Sequence, residues 1–287
     1  MLSKSQLDQF HKDGYLFLGQ IMETKAVKLI QNRIHDLTQG NIKNPKIQYE
    51  IEPKLFKENN PLREKNGFEG PSNSYRKLVP LNEDDIMSKH LVYNEKALSI
   101  MHQLLEPPIG IYRSMILLKP AFDGSPLGWH QDAGIPWPIP QNGYHTIWTT
   151  FDDADENNGA LQIIRGSHSI GTPQSDQSTV NERCRKFADK MQSKVVTLEA
   201  KAGESYLLNP IMIHGSLPNK SNRGRRAVNV IYMPLNTEII GYGPLKESDK
   251  TEILKRGHFS AEIYKELRVE VGDRRSVGRK ILYGQNK

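Results

Sequence analysis

The spacing of hydrophobic residues divides the chain into a helical beginning and a strand-rich remainder. Apolar residues recur every three or four positions over residues 24–38, which predicts an amphipathic helix closed by Gly40. A shorter helix is predicted before Gly14, and another after Asn94, whose side chain can cap a helix N-terminus. Between the first two helices, Tyr15–Leu18 predicts a short apolar strand.

From Ile111 onward the pattern becomes that of short strands rich in β-branched and aromatic residues, separated by Gly, Pro, Asn and Asp. The predicted strands are Ile111–Leu118, Tyr144–Phe151, Leu161–Ile164, Lys194–Leu198, Ser205–Asn209 and Arg226–Met233. A helix over residues 180–192 interrupts them. Helices followed by many short strands predict an α+β fold with a mainly β core, built as an antiparallel sandwich or barrel.

No linker or internal repeat divides the sequence, so we expect a single domain over residues 1–287. Its expected parts are a helical N-terminal part (1–106), a β core (107–235) and a C-terminal extension (236–287). Residues 57–75 have no periodicity and are predicted to form a loop. A loop of this length is either disordered or functional, and a lid over a site is one interpretation.

Composition is ordinary for a globular protein, with 37% hydrophobic and 25% charged residues among 287. No run of about 18 apolar residues indicates a membrane span. The N-terminus lacks the apolar segment of a secretory signal. The one cysteine, Cys184, has no partner for an internal disulfide, which suits a reducing compartment. We therefore expect a cytoplasmic protein without a membrane partner.

The net charge of +6 is concentrated in the tail, where residues 246–287 carry 11 Lys and Arg against 7 Asp and Glu. Because the two signs alternate, the pattern favours a solvated tail over a nucleic-acid surface. The sequence also lacks a basic stripe interleaved with aromatic residues. A small-molecule substrate, with a mild preference for anions, is the expected partner.

The residues that carry chemistry begin with Gly128-Trp129-His130-Gln131-Asp132. In an extended segment, His130 and Asp132 point to the same face and can offer an imidazole and a carboxylate to one metal ion. His214, in a later apolar stretch, is the best third ligand among nine histidines. Two His and one carboxylate leave open coordination positions, as in the facial triad of non-haem Fe(II) oxygenases.

An arginine follows the last of these histidines and precedes a predicted strand. Arg225 lies 11 residues after His214 and opens a strand predicted to be buried. A buried guanidinium is costly without an acidic partner, and an anionic cosubstrate would supply one. His145 lacks a following arginine and ranks below His214, while His168 sits in a Gly-Ser-His turn that favours a structural role.

At this point the sequence resembles the phytanoyl-CoA dioxygenase family of Fe(II)/2-oxoglutarate oxygenases. The matching segments, which span about residues 5–235, are Phe10-x-x-Asp13-Gly14-Tyr15, Arg76-Lys77, Trp129-His130-Gln131-Asp132, Trp148, Asn158-Gly159-Ala160-Leu161, Gly166-Ser167-His168, His214-Gly215-Ser216, Asn219, Ser221 and Arg225-Arg226-Ala227. The tail after residue 235 is unmatched.

The resemblance implies a double-stranded β-helix (jelly-roll, cupin-like) core with flanking N-terminal helices. It makes His130, Asp132 and His214 the Fe(II) ligands, with 2-oxoglutarate and O2 as cosubstrates. The residues implied to bind 2-oxoglutarate are Arg225, which takes the distal carboxylate, with Ser216, Trp148, Gln131 and Lys77. Core packing is an equally strong interpretation of Trp148.

The expected reaction is hydroxylation of an unactivated C–H bond with release of succinate and CO2. The retained carboxylate of Asp132 favours hydroxylation, or desaturation or demethylation, over halogenation. Trp137, Asn229 and Arg76 are candidate substrate contacts; strand alternation places Asn229 on the same face as Arg225. The alternatives are a non-catalytic sensor that binds metal or 2-oxoglutarate, a nucleic-acid demethylase, and a zinc cupin.

Overall fold

The computed structural model describes residues 1–51, 64–66, 75–122, 124–132, 144–171 and 177–235. The helices are α1 (Lys4–Asp13), α2 (Thr24–Gln39), α3 (Asp85–Met87), α4 (Glu95–Leu104) and α5 (Gln177–Lys190). The strands are β1 (Tyr15–Gln20), β2 (Gln48–Ile51), β3 (Glu64–Asn66), β4 (Tyr75–Val79), β5 (Ile109–Lys119), β6 (Leu127–His130), β7 (His145–Thr150), β8 (Leu161–Ile164), β9 (Val195–Thr197), β10 (Glu204–Leu208), β11 (His214–Ser216) and β12 (Arg225–Pro234).

The helix ends follow the predicted capping signals. The Ser3 hydroxyl accepts a hydrogen bond from the backbone N–H of Gln6, and the side-chain oxygen of Gln6 accepts one from the backbone N–H of Ser3, which completes a capping box at the start of α1. Gly14 ends α1 in the left-handed conformation, with φ of 80°. Asn94 accepts a hydrogen bond from the Ala97 backbone at the start of α4.

The strands form two sheets, as expected for an antiparallel β core. The larger sheet has eight strands in the order β1-β10-β7-β12-β5-β4-β2-β3, and the smaller has four in the order β6-β11-β8-β9. From β5 to β8, and again from β9 to β12, each strand lies in the other sheet from the strand before it, so the chain crosses repeatedly between the sheets. This arrangement is the predicted double-stranded β-helix, or jelly-roll, and confirms the fold class.

The two faces of the large sheet have different neighbours. Residues of its outer face, such as Ile116, Ile147 and Val228, form one apolar core with Phe10 of α1 and Ile34 of α2. Residues of its inner face face the small sheet and build a second core, composed of Trp148, Ala227, Tyr206 and Leu208 with Leu161, Ile163, Leu198 and Met212. Any site between the sheets must therefore be made by inner-face residues.

Helix α5 covers the other side of the small sheet. Cys184 and Ala188 of α5 pack against Ile164 and Ile213, with Trp129 at the edge of the same cluster. Strand alternation explains this placement, because Trp129 and Ile213 each precede a histidine that faces inward. Helix α5 therefore packs against β6, which ends at His130, and against the residue that precedes β11, which begins at His214.

The N-terminal part contributes four strands to the large sheet in addition to its helices. Strands β1, β2, β3 and β4 all join the large sheet, β1 against β10 and β4 against β5. Within the predicted loop 57–75, residues Glu64–Asn66 form strand β3 and Tyr75 begins β4; the rest of that loop lies outside the described residues. The extension 236–287 also lies outside them.

None of the helices in the described parts of the chain is long and apolar enough to cross a membrane.

Candidate metal centre

Two short strands bring the metal-type ligands together. His130 ends β6 and His214 begins β11, and their Cα atoms are direct partners in the antiparallel pair. The two imidazole rings consequently lie side by side, with centroids 4.1 Å apart. Both strands are too short and too polar to produce a recognisable hydrophobic periodicity. They are therefore absent from the strands predicted from the sequence.

Asp132 completes the group from just beyond the end of β6. Its backbone N–H donates to the carbonyl of Pro210 at 3.2 Å, which holds the turn against the segment leading to β11. Asp132 Oδ1 lies 3.7 Å from His130 Nε2, and Oδ2 lies 3.6 Å from His214 Nε2. One ligand atom from each residue lies within 4.8 Å of the other two, a spacing that could hold a metal ion.

The hydrogen bonds of both histidines favour the tautomer that a metal requires. Nδ1 of His130 lies 2.7 Å from the carbonyl of Gly128, and Nδ1 of His214 lies 2.9 Å from the carbonyl of Met212. A carbonyl accepts only, so Nδ1 must carry the proton and donate it. The lone pair of each Nε2 is then available to a cation, and the same bond fixes each ring.

The donor set fits Fe(II). Two neutral imidazoles and one carboxylate suit a borderline divalent ion and match the facial triad, which leaves coordination positions open. The side chains are between 13% and 21% exposed, so the group is reachable rather than sealed. Among the described residues this is the one cluster of His, Cys, Asp and Glu with metal-binding spacing.

Arg225 is buried at the start of β12, on the inner face. Its guanidinium donates to the carbonyl of Gly159 at 3.2 Å and to that of Leu117 at 3.5 Å. Its Nε is buried without a hydrogen-bond partner in the described structure. Burial lowers the pKa of Arg225 to about 10, since a guanidinium removed from water loses its hydration. The arrangement offers a cation and a spare donor to an anionic ligand.

Trp148 and Asn229 lie side by side on the same inner face. They are Cα partners between β7 and β12, and Trp148 also pairs with Tyr206 of β10. Trp148 is completely buried and packs in the inner core. Its Nε1–H and the Oδ1 of Asn229 are nevertheless buried without partners within the described residues. One spare donor and one spare acceptor therefore face the space between the sheets.

The side chain of Gln131 points outward, toward α5, and not into the space between the sheets. Its amide donates to the carbonyls of Ile211 at 2.6 Å and Gly171 at 3.1 Å, and its Oε1 lies 3.9 Å from Cys184 Sγ. The expectation that Gln131 lines the cosubstrate pocket is therefore wrong for its side chain. The reason is strand alternation, since a residue between two inward ligands faces outward, here toward α5. Gln131 fixes the ligand segment to α5.

Lys77 and Arg76 both contact one buried carboxylate. Lys77 Nζ lies 3.1 Å from Glu50 Oε2, and Arg76 Nε lies 3.0 Å from Glu50 Oε1. Lys77 pairs with Leu117 in β5, so its side chain shares the inner face with Arg225. Burial is the main cause that lowers the pKa of Lys77 to about 8, and Glu50 opposes it. Whether Lys77 reaches a cosubstrate and Arg76 a substrate stays a prediction.

The remaining candidates fall in three places. Ser216 lies two residues after His214 in β11 and is almost fully buried. His168 Nε2 bonds to the carbonyl of His11 at 2.9 Å, which supports a structural role, and the His145 ring packs edge-on against Phe10. Neither histidine belongs to the metal-type cluster. Trp137 lies outside the described residues.

Sequence reasoning missed two residues near the site. The hydroxyl of Tyr144 donates to the backbone carbonyl of Asp132 at 2.5 Å, which ties the ligand turn to the start of β7. Arg113 is a buried charge in the middle of β5, with 5% of its surface exposed. The available signal was a single arginine inside the apolar run Ile111–Leu118; the role of Tyr144 depends on a tertiary contact that has no local signal.

The jelly-roll, the His-Asp-His group and the buried arginine together define a non-haem Fe(II)- and 2-oxoglutarate-dependent dioxygenase. The phytanoyl-CoA dioxygenase family matches residues 10–227, and the chain belongs to this family.

Relatives of known name agree with this class. The phytanoyl-CoA dioxygenase domain-containing protein 1 of Mus musculus is 24% identical over 268 residues, covering 81% of this chain and 90% of that protein. L-proline trans-4-hydroxylase of Streptomyces griseoviridis is 23% identical over 249 residues, covering 78% and 84%. Among solved structures, EctD from S. alaskensis with bound Fe has a TM-score of 0.64 at 20% identity, covering 85% of this chain and 80% of that one.

Proposed function

We propose that this protein hydroxylates an unactivated C–H bond of a small organic substrate, converting 2-oxoglutarate and O2 to succinate and CO2. In this proposal His130, Asp132 and His214 hold Fe(II), and Arg225 binds the distal carboxylate of 2-oxoglutarate. The observation that carries it is the combination of a three-ligand group of open geometry with a buried guanidinium whose Nε has no partner in the described structure. Bound Fe(II) would explain why two imidazoles and a carboxylate converge. Bound 2-oxoglutarate would explain why a guanidinium is buried, which costs free energy without an acidic partner.

When bound, the iron supplies O2 activation coupled to decarboxylation of 2-oxoglutarate and oxidation of the substrate. The protein positions the reactants. Nδ1–H bonds to Gly128 and Met212 orient both imidazoles, and Tyr144 and Pro210 fix the turn of Asp132. Because the carboxylate of Asp132 is present, we expect transfer of a hydroxyl group rather than a halide to the substrate carbon.

The proposed cosubstrate pocket is formed by inner-face residues of the large sheet with Ser216 of β11. Arg225 would give charge-assisted hydrogen bonds to a carboxylate, and its rigid fork favours a bidentate pair. Trp148 Nε1–H offers a further donor on the same face. Lys77 shares this face, and we keep it as a proposed cosubstrate contact. In that role a carboxylate of 2-oxoglutarate would compete with Glu50 for the Lys77 ammonium group.

Similar proteins support a small substrate. One relative is named for the hydroxylation of L-proline, and another, from Stutzerimonas stutzeri, is a probable alpha-ketoglutarate-dependent hypophosphite dioxygenase that is 27% identical over 150 residues. EctD has been solved with 2-oxoglutarate and 5-hydroxyectoine. We further propose that residues 1–287 act as one oxygenase domain in the cytoplasm, where the buried free thiol of Cys184 stays reduced.

The test is Fe(II)-dependent chemistry by the purified protein. Calorimetry under anaerobic conditions should show 2-oxoglutarate binding that requires Fe(II), and addition of O2 with substrate candidates should release succinate in proportion to hydroxylated product. Asp132→Ala should abolish both, and Arg185→Gln, an exposed change on α5, should affect neither. Binding of 2-oxoglutarate without turnover of any substrate would favour the sensor alternative, whereas no Fe(II)-dependent binding would reject the proposal.

A further inference from the structure

Asn229 is a polar residue in a mostly apolar part of the inner face of the large sheet. Its neighbours on that face are Ala227 and Ile231 along β12, Met115 across the ladder in β5, and Trp148 across the ladder in β7. All four are buried, and Asn229 itself is only 8% exposed. Burial of an amide is unfavourable unless its polar atoms find hydrogen bonds, so an apolar side chain would suit this position better for packing alone.

The acceptor of the Asn229 side chain is unused by the folded chain. Its Oδ1 is buried without a hydrogen-bond partner in the described part of the chain, and so is the Nε1–H of Trp148. Trp148 is the Cα partner of Asn229 and the only one of the four neighbours whose side chain has a strong donor. A donor and an acceptor in directly opposite positions therefore do not bond to each other. Because buried polar groups are nearly always hydrogen-bonded, this pattern indicates that Oδ1 is kept for a ligand.

Asn229 faces the same space as the metal-type ligands. The residues on either side of it in β12 belong to the outer core, so Asn229 points toward the small sheet. Its partner Trp148 packs in the inner core with Ile163, and Ile163 is the Cα partner of His214 in the small sheet. An organic ligand held between the sheets beside His214 would therefore lie on the side that Asn229 faces.

Asn229 lies one level further along the sheet than the guanidinium of Arg225. That guanidinium donates to the carbonyl of Leu117, which is the Cα partner of Ala227. Ala227 precedes Asn229 by two residues, a separation of about 7 Å along a strand. A ligand next to a cosubstrate bound at Arg225 would therefore meet Asn229.

The chemistry of 2-oxoglutarate excludes it as the partner of Asn229 Oδ1. Both of its carboxylates are ionised at neutral pH, and ionised carboxylates and keto oxygens only accept hydrogen bonds. Oδ1 of an amide also only accepts. The partner must therefore bring an O–H or N–H group, and the other organic ligand of a 2-oxoglutarate-dependent oxygenase is its substrate.

We propose that Asn229 is a specificity-determining residue whose Oδ1 accepts a hydrogen bond from a hydroxyl or N–H group of the substrate. This rests on the proposed function, because it assigns the metal and Arg225 to the binding of 2-oxoglutarate. A substrate analogue without a donor would leave Oδ1 buried and unpaired, so the site should select against it. Hydroxyl and N–H groups share the chemistry that Oδ1 recognises, and the probes below distinguish them.

The test compares three probes of the same ring size on the full-length protein. The protein is loaded with Zn(II), a diamagnetic substitute for Fe(II), and saturated with 2-oxoglutarate. Cyclopentanol offers an O–H donor and 2-pyrrolidinone an N–H donor, whereas cyclopentanone only accepts. Binding is followed by NMR through the indole N–H signals of the three tryptophans, and the signal of Trp148 is the one that Trp148→Phe lacks.

We expect at least one donor probe to bind roughly 3- to 10-fold more tightly than cyclopentanone, the gain expected for a single hydrogen bond in a buried site. The tighter of the two donor probes shows whether the substrate presents a hydroxyl or an N–H group.

Asn229→Leu removes the acceptor while keeping a side chain of similar size. The ratio of its affinities for the donor probes and for cyclopentanone should fall to about 1. Because this ratio compares ligands of one variant, a general loss of stability does not produce the same result. Asn32→Leu makes the same replacement at an exposed position of α2 and should keep the donor preference of the unmodified protein.

Four results would each overturn the assignment of Asn229. They are equal affinity of the unmodified protein for the three probes, no binding of any probe, an unchanged donor preference in Asn229→Leu, and weaker binding of 2-oxoglutarate by that variant. Failure of the metal-loaded unmodified protein to bind 2-oxoglutarate would instead reject the proposed function. The same probes, titrated without 2-oxoglutarate, would then still decide whether Asn229 recognises a donor.

Discussion

Replacing Arg225 with methionine should leave the empty protein at least as stable while greatly weakening its binding of 2-oxoglutarate. Folding buries this guanidinium with two carbonyl acceptors and leaves its Nε without a partner in the described structure. The nearest acidic influence on its pKa is Asp152, which is engaged in a two-point ion pair with Arg226. The charge of Arg225 is therefore unfavourable in the empty protein and useful only when an anion arrives.

The expected change in the free energy of unfolding follows from the pKa of Arg225. Its depression to about 10 means that the folded state disfavours the charged form by about 3 kcal/mol, at roughly 1.4 kcal/mol for each pKa unit. Loss of the two carbonyl hydrogen bonds costs about 1 kcal/mol each. Without metal and cosubstrate, Arg225→Met should thus be as stable as the unmodified protein or about 1 kcal/mol more stable. Its affinity for 2-oxoglutarate should fall roughly 100-fold or more, because at least two charge-assisted bonds are lost.

Urea unfolding of the metal-free protein and anaerobic calorimetry with Fe(II) and 2-oxoglutarate measure the two effects. Arg226→Met is the matched control in the adjacent residue. Its side chain is 28% exposed and pairs with Asp152, so its loss should lower stability modestly and leave 2-oxoglutarate affinity intact. If Arg225→Met instead lost more than about 2 kcal/mol of stability, or bound 2-oxoglutarate normally, the account of a buried cation held for a cosubstrate would be refuted.

Three other changes test the ligand group, the outer core and the turn beneath Arg225. His214→Ala should abolish Fe(II) binding in metal analysis after dialysis, whereas His168→Ala should bind iron normally; the reverse result would show that the third ligand is misassigned. Burial lowers the pKa of His145 to about 4 from 6.5, so the unfolded chain binds the extra proton between these values and stability falls as pH decreases through this window. His145→Gln should remove about 2 kcal/mol of the stability difference between about pH 7 and pH 4.5 in urea unfolding, and an unchanged pH dependence would contradict a neutral buried imidazole. Gly159→Ala should destabilise the protein by about 1–3 kcal/mol, because φ is +75° and a Cβ would lie 2.6 Å from the carbonyl oxygen of Leu217; a thermal midpoint equal to that of the unmodified protein would show that the turn relaxes without cost.

The metal-type group could be predicted because its signal is local. His130 and Asp132 are two residues apart, and His214 precedes an arginine at a characteristic spacing. The same alternation argument, carried one residue further, would have placed Gln131 on the opposite face, where the structure has it. The error was to extend the resemblance to a neighbour without asking which way its side chain points.

Other features depend on contacts between distant segments and have no local signal. The strands β6 and β11 are three or four residues long, and their pairing exists only because the jelly-roll brings them side by side. Tyr144 acquires its role from a single bond to the Asp132 backbone. The longer strands were predicted within one or two residues, because their apolar runs record burial directly.

The buried cations of the inner face connect the stability of this fold to its chemistry. An apolar inner face would pack the two sheets more favourably than one that buries Arg225 and the ion pair of Lys77 with Glu50. Retaining these charges lowers the stability of the empty protein, and the lost free energy returns only when anions bind. The inner face should therefore be the part of the protein that 2-oxoglutarate stabilises most, through its contact with Arg225.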